Sequence, residues 1–209
     1  RTKHYKVSIG TKAMRQTLIG LKKNVMNKTM MKAVIGTEGM FFVCLILAFV
    51  YMAFNSGFEP HDLHALDIKK TGIFTIVLIA SSFTFWMADS NYEKGKIKNL
   101  KIWLIITILL GAIFLFGQGK EYWRLINDHV TLGSGVFGTS FYTLTGFHGF
   151  HVFVGLIILS IILSLTFLGD FNKPDSNVIT TVGYYWHFVD VVWIVVFTVV
   201  YVLPHFTNI

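Results

Sequence analysis

Five long apolar stretches separated by short polar segments leave this sequence few ways to fold. They fall at about 32–55, 72–90, 100–119, 138–168 and 182–205, each near or above the ~20 residues that carry a helix across a bilayer. In hydrocarbon every backbone N–H and C=O needs a partner within the protein, and a helix supplies those partners within each segment. The expected fold class is therefore all-α, an integral membrane bundle of five transmembrane helices. Composition agrees: 54% hydrophobic, 16% aromatic and only 14% charged residues is more apolar surface than a soluble domain of 209 residues can cover. Pro60 and Pro174 fall in loops and Pro204 at the end of the last span, so no span has a proline in its interior. With no internal repeat, the chain divides into a basic arm over 1–31 and a five-helix transmembrane domain over 32–209.

The net charge of +7 follows topology rather than a nucleic-acid footprint. Arg1, Lys3, Lys6, Lys12, Arg15, Lys22, Lys23, Lys28 and Lys32 all precede the first acid, Glu38. Lys94, Lys96, Lys98 and Lys101 return to the same side, whereas Glu59, Asp62 and Asp67 lie opposite with Lys69 and Lys70. The positive-inside rule then sets the N-terminus in the cytoplasm and the C-terminus in the periplasm. Within the arm, Met14, Leu18, Leu21 and Val25 can share a helical face flanked by Arg15, Lys22 and Lys23. That pattern suits a helix lying on an anionic membrane surface, and equally a solvated arm that fixes topology. Cys44 is the only cysteine, so this chain alone makes no disulfide, CxxCH haem attachment, thiolate zinc site or iron–sulfur cluster.

Polar residues inside the spans carry the functional signal, because at bilayer depth they need partners. His187 and Asp190, in YYWHFVDVVW, stand three apart and can touch on one helical face. Glu38, in IGTEGMFF, is a lone acid early in the first span. It reads either as a proton-linked or headgroup-binding carboxyl or as a neutral acid satisfied by a neighbouring helix. His148 and His151, in TGFHGFHV, share a face. With His187 they could ligate haem iron or copper, although hydrogen bonding between helices explains the same spacing. Gln118, Glu121 and Tyr122 mark the outer end of the third span and, with Trp123, read as a headgroup-level belt. Trp186 and Trp193 suggest aromatic packing beside Asp190. Ser81, Ser82 and Thr84 suggest hydrogen bonds to carbonyls of their own or a neighbouring helix. Thr139 and Ser140 can cap the fourth span, which is long enough to require tilt, and Gly146, Gly149 and Gly155 allow close helix approach. No nucleophile–base pair and no phosphate-cradling glycine loop stands out.

These strings together resemble one family. TGFHGFHVFVG at 145–155 and YWHFVDVVW at 185–193, supported by GTEGMFF at 36–42, LIASSFTF at 78–85, QGKEYW at 118–123 and GVFGTSFY at 135–142, are similar to subunit III of the haem–copper oxidases, in the family's order. The resemblance implies a short, five-helix form of a subunit that has seven helices in longer members. It implies an accessory, non-catalytic subunit of a respiratory terminal oxidase in the bacterial cytoplasmic membrane. Such a subunit holds no metal or other cofactor of its own, haem and copper residing in its partners. It would pack on catalytic subunit I and subunit II, possess bound phospholipid, and support proton uptake and turnover stability, with a larger respiratory supercomplex as a further partner. Glu38 matches the family's buried carboxyl, associated with lipid contact, and His148, His151, His187 and Asp190 match its polar interhelical residues. MADSNYEKG, with Asp89 and Ser90, stands where many relatives carry a histidine pair. Competing readings are a related five-helix subunit of a quinol oxidase or nitric oxide reductase, a freestanding proton or solute transporter, and a small haem-binding anchor.

Overall fold

A computed structural model describes residues 2–56, 66–133, 135–169, 171 and 177–204, with side chains in the first helix described for 28–55. Five helices are long and apolar enough to cross a membrane, and the described residues contain no strand. They are α1 (Thr2–Ser56), α2 (Ile68–Glu93), α3 (Ile97–Asn127), α4 (Val136–Leu168) and α5 (Val178–Phe197), followed by a π-helical turn at Thr198–Val202. Pro60, Glu59, Asp62 and Pro174 lie outside the described residues, as do the side chains of Met14, Leu18, Leu21 and Val25.

Helix ends extend beyond the apolar stretches where polar side chains find partners. α3 continues past residue 119 to Asn127 because Gln118, Glu121 and Arg124 are all engaged along its last turns. α1 passes without a break through the boundary expected at 31/32. The first residue before α4 is Gly135, whose φ of 141° suits glycine and few other residues. The expected caps Thr139 and Ser140 therefore sit one turn inside the helix. Their hydroxyls donate back to carbonyls, Thr139 to Leu132 and Gly135 and Ser140 to Val136 and Phe137.

The most extensive packing is between α2 and α3, followed by α3 on α4; α5 lies against α4, α2 and α1. This makes α5 the centre of the bundle. Half of its most apolar window, continued into the π turn, is buried inside the chain, against 11% for α1, which rests on the outside against α4 and α5. The indole of Trp186, 1% exposed, shows how tight the centre is. A Cβ built at Gly111 on α3 would come within 2.9 Å of this ring, and one at Gly155 on α4 within 2.8 Å. Two glycines thus form the slot that admits the ring. Gly146 has no such role, since a Cβ there meets only the Tyr122 hydroxyl at 3.8 Å.

Candidate functional site

Among the described residues, polar side chains inside the bundle form three larger sets of contacts, besides a buried 2.8 Å bond between Thr84 Oγ1 on α2 and Thr107 Oγ1 on α3. The first joins α1 to α4. Glu38 Oε2 lies 3.1 Å from His151 Nε2, and His151 Nδ1 lies 2.7 Å from the carbonyl of Phe147. A carbonyl only accepts, so Nδ1 carries hydrogen. Nε2 then either accepts from a protonated Glu38 or, as part of an imidazolium, donates to its carboxylate. In both forms one proton is shared and the pair is neutral overall, which lowers the cost of placing two titratable groups within a span. Tyr185 completes the contact by donating its hydroxyl to the His151 carbonyl at 3.1 Å.

The second set joins α2 to α5 as a ladder. Trp193 Nε1 donates to Thr75 Oγ1 at 3.0 Å, and Trp186 Nε1 donates to Ser81 Oγ at 3.2 Å. Ser82 Oγ and His187 Nδ1 are 2.6 Å apart, and Thr180 Oγ1 donates to Asp89 Oδ1 at 3.0 Å. From Thr75 through Ser82 to Asp89 on α2 the partners run back from Trp193 through His187 to Thr180 on α5, as antiparallel helices require. Thr75, Ser82 and Asp89 recur every seven residues, two helical turns, and so stand on one face. That spacing is the sequence signal by which the ladder could have been read.

The third set lies where α2 begins and α3 ends. Asp67 caps α2, its Oδ1 accepting from the Lys70 N–H at 3.1 Å. Its Oδ2 meets Lys70 Nζ at 3.0 Å and Arg124 Nη1 at 3.2 Å. The backbone and side-chain hydrogen bonds from Lys70 hold the Asp67 carboxyl below the usual carboxylate range, with the charges of Lys70 and Arg124 adding to the effect. Glu121 accepts from Thr71 Oγ1 at 2.9 Å and from Tyr201 in the π turn at 2.9 Å. Gln118 donates to the Thr145 carbonyl at 2.8 Å, and Tyr122 exchanges a 2.8 Å bond with Thr145 Oγ1. Gln118, Glu121 and Tyr122, expected as a headgroup-level belt, are thus each bonded to a neighbouring element. They face inward because α2, α4 and the π turn offer each of them a partner, while Trp123 alone stands out at 72% exposure.

The histidines that look clustered in the sequence diverge in space. His148, fully buried, has no hydrogen bond at either ring nitrogen. Its ring lies 4.6 Å from that of Trp193 at a 30° tilt, with Phe42 and Phe114 edge-on at 6.4 and 6.0 Å. His151 turns to Glu38 and His187 to Ser82. Among the described residues no group of three His, Cys, Asp or Glu side chains converges as a metal site would require. His187 and Asp190 make no bond to each other either. Asp190 is 4% exposed, and neither carboxyl oxygen has a hydrogen-bond partner; its neighbour Ser82 is engaged by His187.

Fold and contacts define a multi-pass membrane protein whose intramembrane polar groups are used largely to join its own helices. Its relatives say which. The family described as cytochrome c oxidase subunit III matches residues 12–204. The probable cytochrome c oxidase subunit 3 of Mycobacterium leprae is 40% identical over 167 residues, covering 80% of this chain and 83% of that protein. Cytochrome c oxidase subunit 3 of Corynebacterium diphtheriae is 37% identical over 167 residues, covering 78% and 82%. The Thermostichus vulcanus protein of that name is 35% identical over 175 residues, covering 81% and 84%. The chain belongs to the cytochrome c oxidase subunit III family and is thereby a component of an oxidase complex.

Proposed function

We propose that this chain is an accessory scaffold of the oxidase, without redox centre or turnover of its own. It packs on subunits I and II in a bacterial cytoplasmic membrane, with its N-terminus in the cytoplasm. It retains phospholipid there and sustains proton uptake and catalytic lifetime while its partners reduce oxygen. The observation that carries this reading is the use made of the polar residues. Glu38 and His151 join α1 to α4, Ser82 and His187 join α2 to α5, and His148 packs among aromatic rings. The imidazoles thus act as joints between helices, a scaffold's requirement.

The test is to purify the oxidase with and without this subunit and follow oxygen consumption through many turnovers. The complete complex should keep its rate, and the depleted one should begin near that rate and decay several-fold sooner. Equal lifetimes would overturn the reading, as would oxygen consumption or a Soret band from the purified chain alone.

A further inference from the structure

α3 and α4 leave between them an open groove of about 1020 Å³. Ile108, Ala112 and Phe116 form one wall and Leu156, Ile161 and Leu165 the other. Even the hydroxyls in its lining are withdrawn, since Ser160 donates to the Leu156 carbonyl at 2.7 Å and Ser164 to the Ser160 carbonyl at 2.9 Å. The groove follows α3 from Ile108 to Trp123, roughly 22 Å by helical rise. One leaflet of hydrocarbon is about 15 Å deep, so the groove accepts an acyl chain over the whole of that depth.

Its mouth is cationic. Lys120 lies at that end, exposed, its ammonium 4.7 Å above the centre of the Phe116 ring. No described acid pairs with it. It also borders a second cavity, of about 400 Å³, between α2 and α3, where Asp67 is engaged by Lys70 and Arg124 and Glu121 by Arg124. With those acids already engaged, Lys120 is, among the lysines and arginines lining the two cavities, the one left to meet an incoming anion. The depth of Lys120 is fixed by its counterpart at the other end of the same seam. Lys101 sits over the Phe167 ring at 4.6 Å, and the two lysines are about 28 Å apart along α3 by helical rise. That matches the ~30 Å hydrocarbon thickness, so each ammonium reaches headgroup level as a snorkelling lysine does.

From the apolar groove and the unpaired Lys120 at its mouth, we infer a discrete site for one anionic glycerophospholipid, its acyl chain between α3 and α4 and its phosphate on Lys120. This rests on the phospholipid-retaining role proposed above and gives it a location. Two variants of the whole oxidase separate the parts of the site. Lys120→Gln removes the charge, and Ala112→Phe fills the groove well away from Lys120. Each complex is exchanged into nanodiscs of phosphatidylglycerol mixed with phosphatidylcholine, and its retained lipid is counted by native mass spectrometry.

The wild-type complex should hold one more phosphatidylglycerol than Ala112→Phe. Lys120→Gln should lower the preference for phosphatidylglycerol at that site about fivefold, the effect of one basic side chain near an anionic surface. Retention of the same lipids by all three assembled complexes would overturn the site. So would loss of assembly in Ala112→Phe with unchanged lipid in Lys120→Gln, which would mean that a partner helix fills the groove. In either case phosphatidylglycerol held elsewhere on the complex would leave the broader lipid-retaining role standing. A complex that holds no lipid at all would remove both.

Discussion

At the scale of single residues, the Glu38–His151 contact shows what a sequence conveys about an intramembrane acid and what it withholds. A carboxyl in an apolar run announces its need for a partner, because unpaired charge in hydrocarbon is costly. The partner, 113 positions away, depends on how α1 leans on α4, and no local pattern encodes that. The bond from His151 Nδ1 to the Phe147 carbonyl makes the protonation of the pair testable. In Glu38→Gln the amide can still donate to a neutral Nε2, so thermal stability in detergent should stay close to wild type. Glu38→Ala leaves that nitrogen without a donor and should lose about 1 kcal/mol, between the ~0.6 average for interhelical bonds in membranes and the 1–3 for an unsatisfied buried group. If the glutamine variant falls as far as the alanine one, the pair is held instead as imidazolium and carboxylate. His148 teaches the converse lesson. Its three-residue spacing from His151 suggests a shared task, yet a few tens of degrees of helix rotation separate a ring stacked on Trp193 from one bonded to Glu38.

At the scale of elements, existence and order of the helices were legible, and their mutual register was not. Apolar length alone marks five spans, but α3 runs on through Gln118, Glu121 and Arg124 because these residues find partners that only the assembled bundle supplies. The α2–α5 ladder lies between these extremes. The seven-residue recurrence of Thr75, Ser82 and Asp89 is visible in the sequence, whereas the antiparallel pairing that gives each its partner is tertiary. Within this interface Trp186 has two separable roles, one in shape and one in bonding. Trp186→Phe keeps most of the ring in the slot and loses the bond to Ser81 (whose hydroxyl still donates to the Leu78 carbonyl at 2.6 Å); a loss near 1 kcal/mol is expected. Gly155→Ala places a methyl where only 2.8 Å is open to a rigid ring, and overpacking of this kind costs about 1–3 kcal/mol. Thermal unfolding of the purified complex should therefore rank glycine 155 as less replaceable than the indole N–H. The opposite order would mean that α4 and α5 can separate slightly without penalty, and that the slot is looser than its geometry indicates.

At the scale of the whole molecule, the two ends of the bundle carry basic residues in different ways, and the proposed orientation rests on that difference. Nine Lys and Arg residues precede Glu38, and Lys94, Lys96, Lys98 and Lys101 join them at the same end. The other end has Lys69, Lys70, Lys120 and Arg124, two of them tied to Asp67 and Glu121 within the fold. Lysine and arginine near the ends of spans decide topology while acids contribute little, so the proposed orientation puts the first end, which has the excess, in the cytoplasm. The turn after α2 and the turn after α3 should then face opposite compartments. In a Cys44→Ser background, which removes the single native thiol, Lys96→Cys and Asp128→Cys each place one exposed cysteine in those turns. A membrane-impermeant maleimide added to intact spheroplasts should label position 128 and reach position 96 only after the membrane is opened. Labelling in the reverse order would invert the topology and move the Lys120 end of the α3–α4 groove to the cytoplasmic leaflet. Equal labelling of both would mean that the basic arm does not by itself govern insertion.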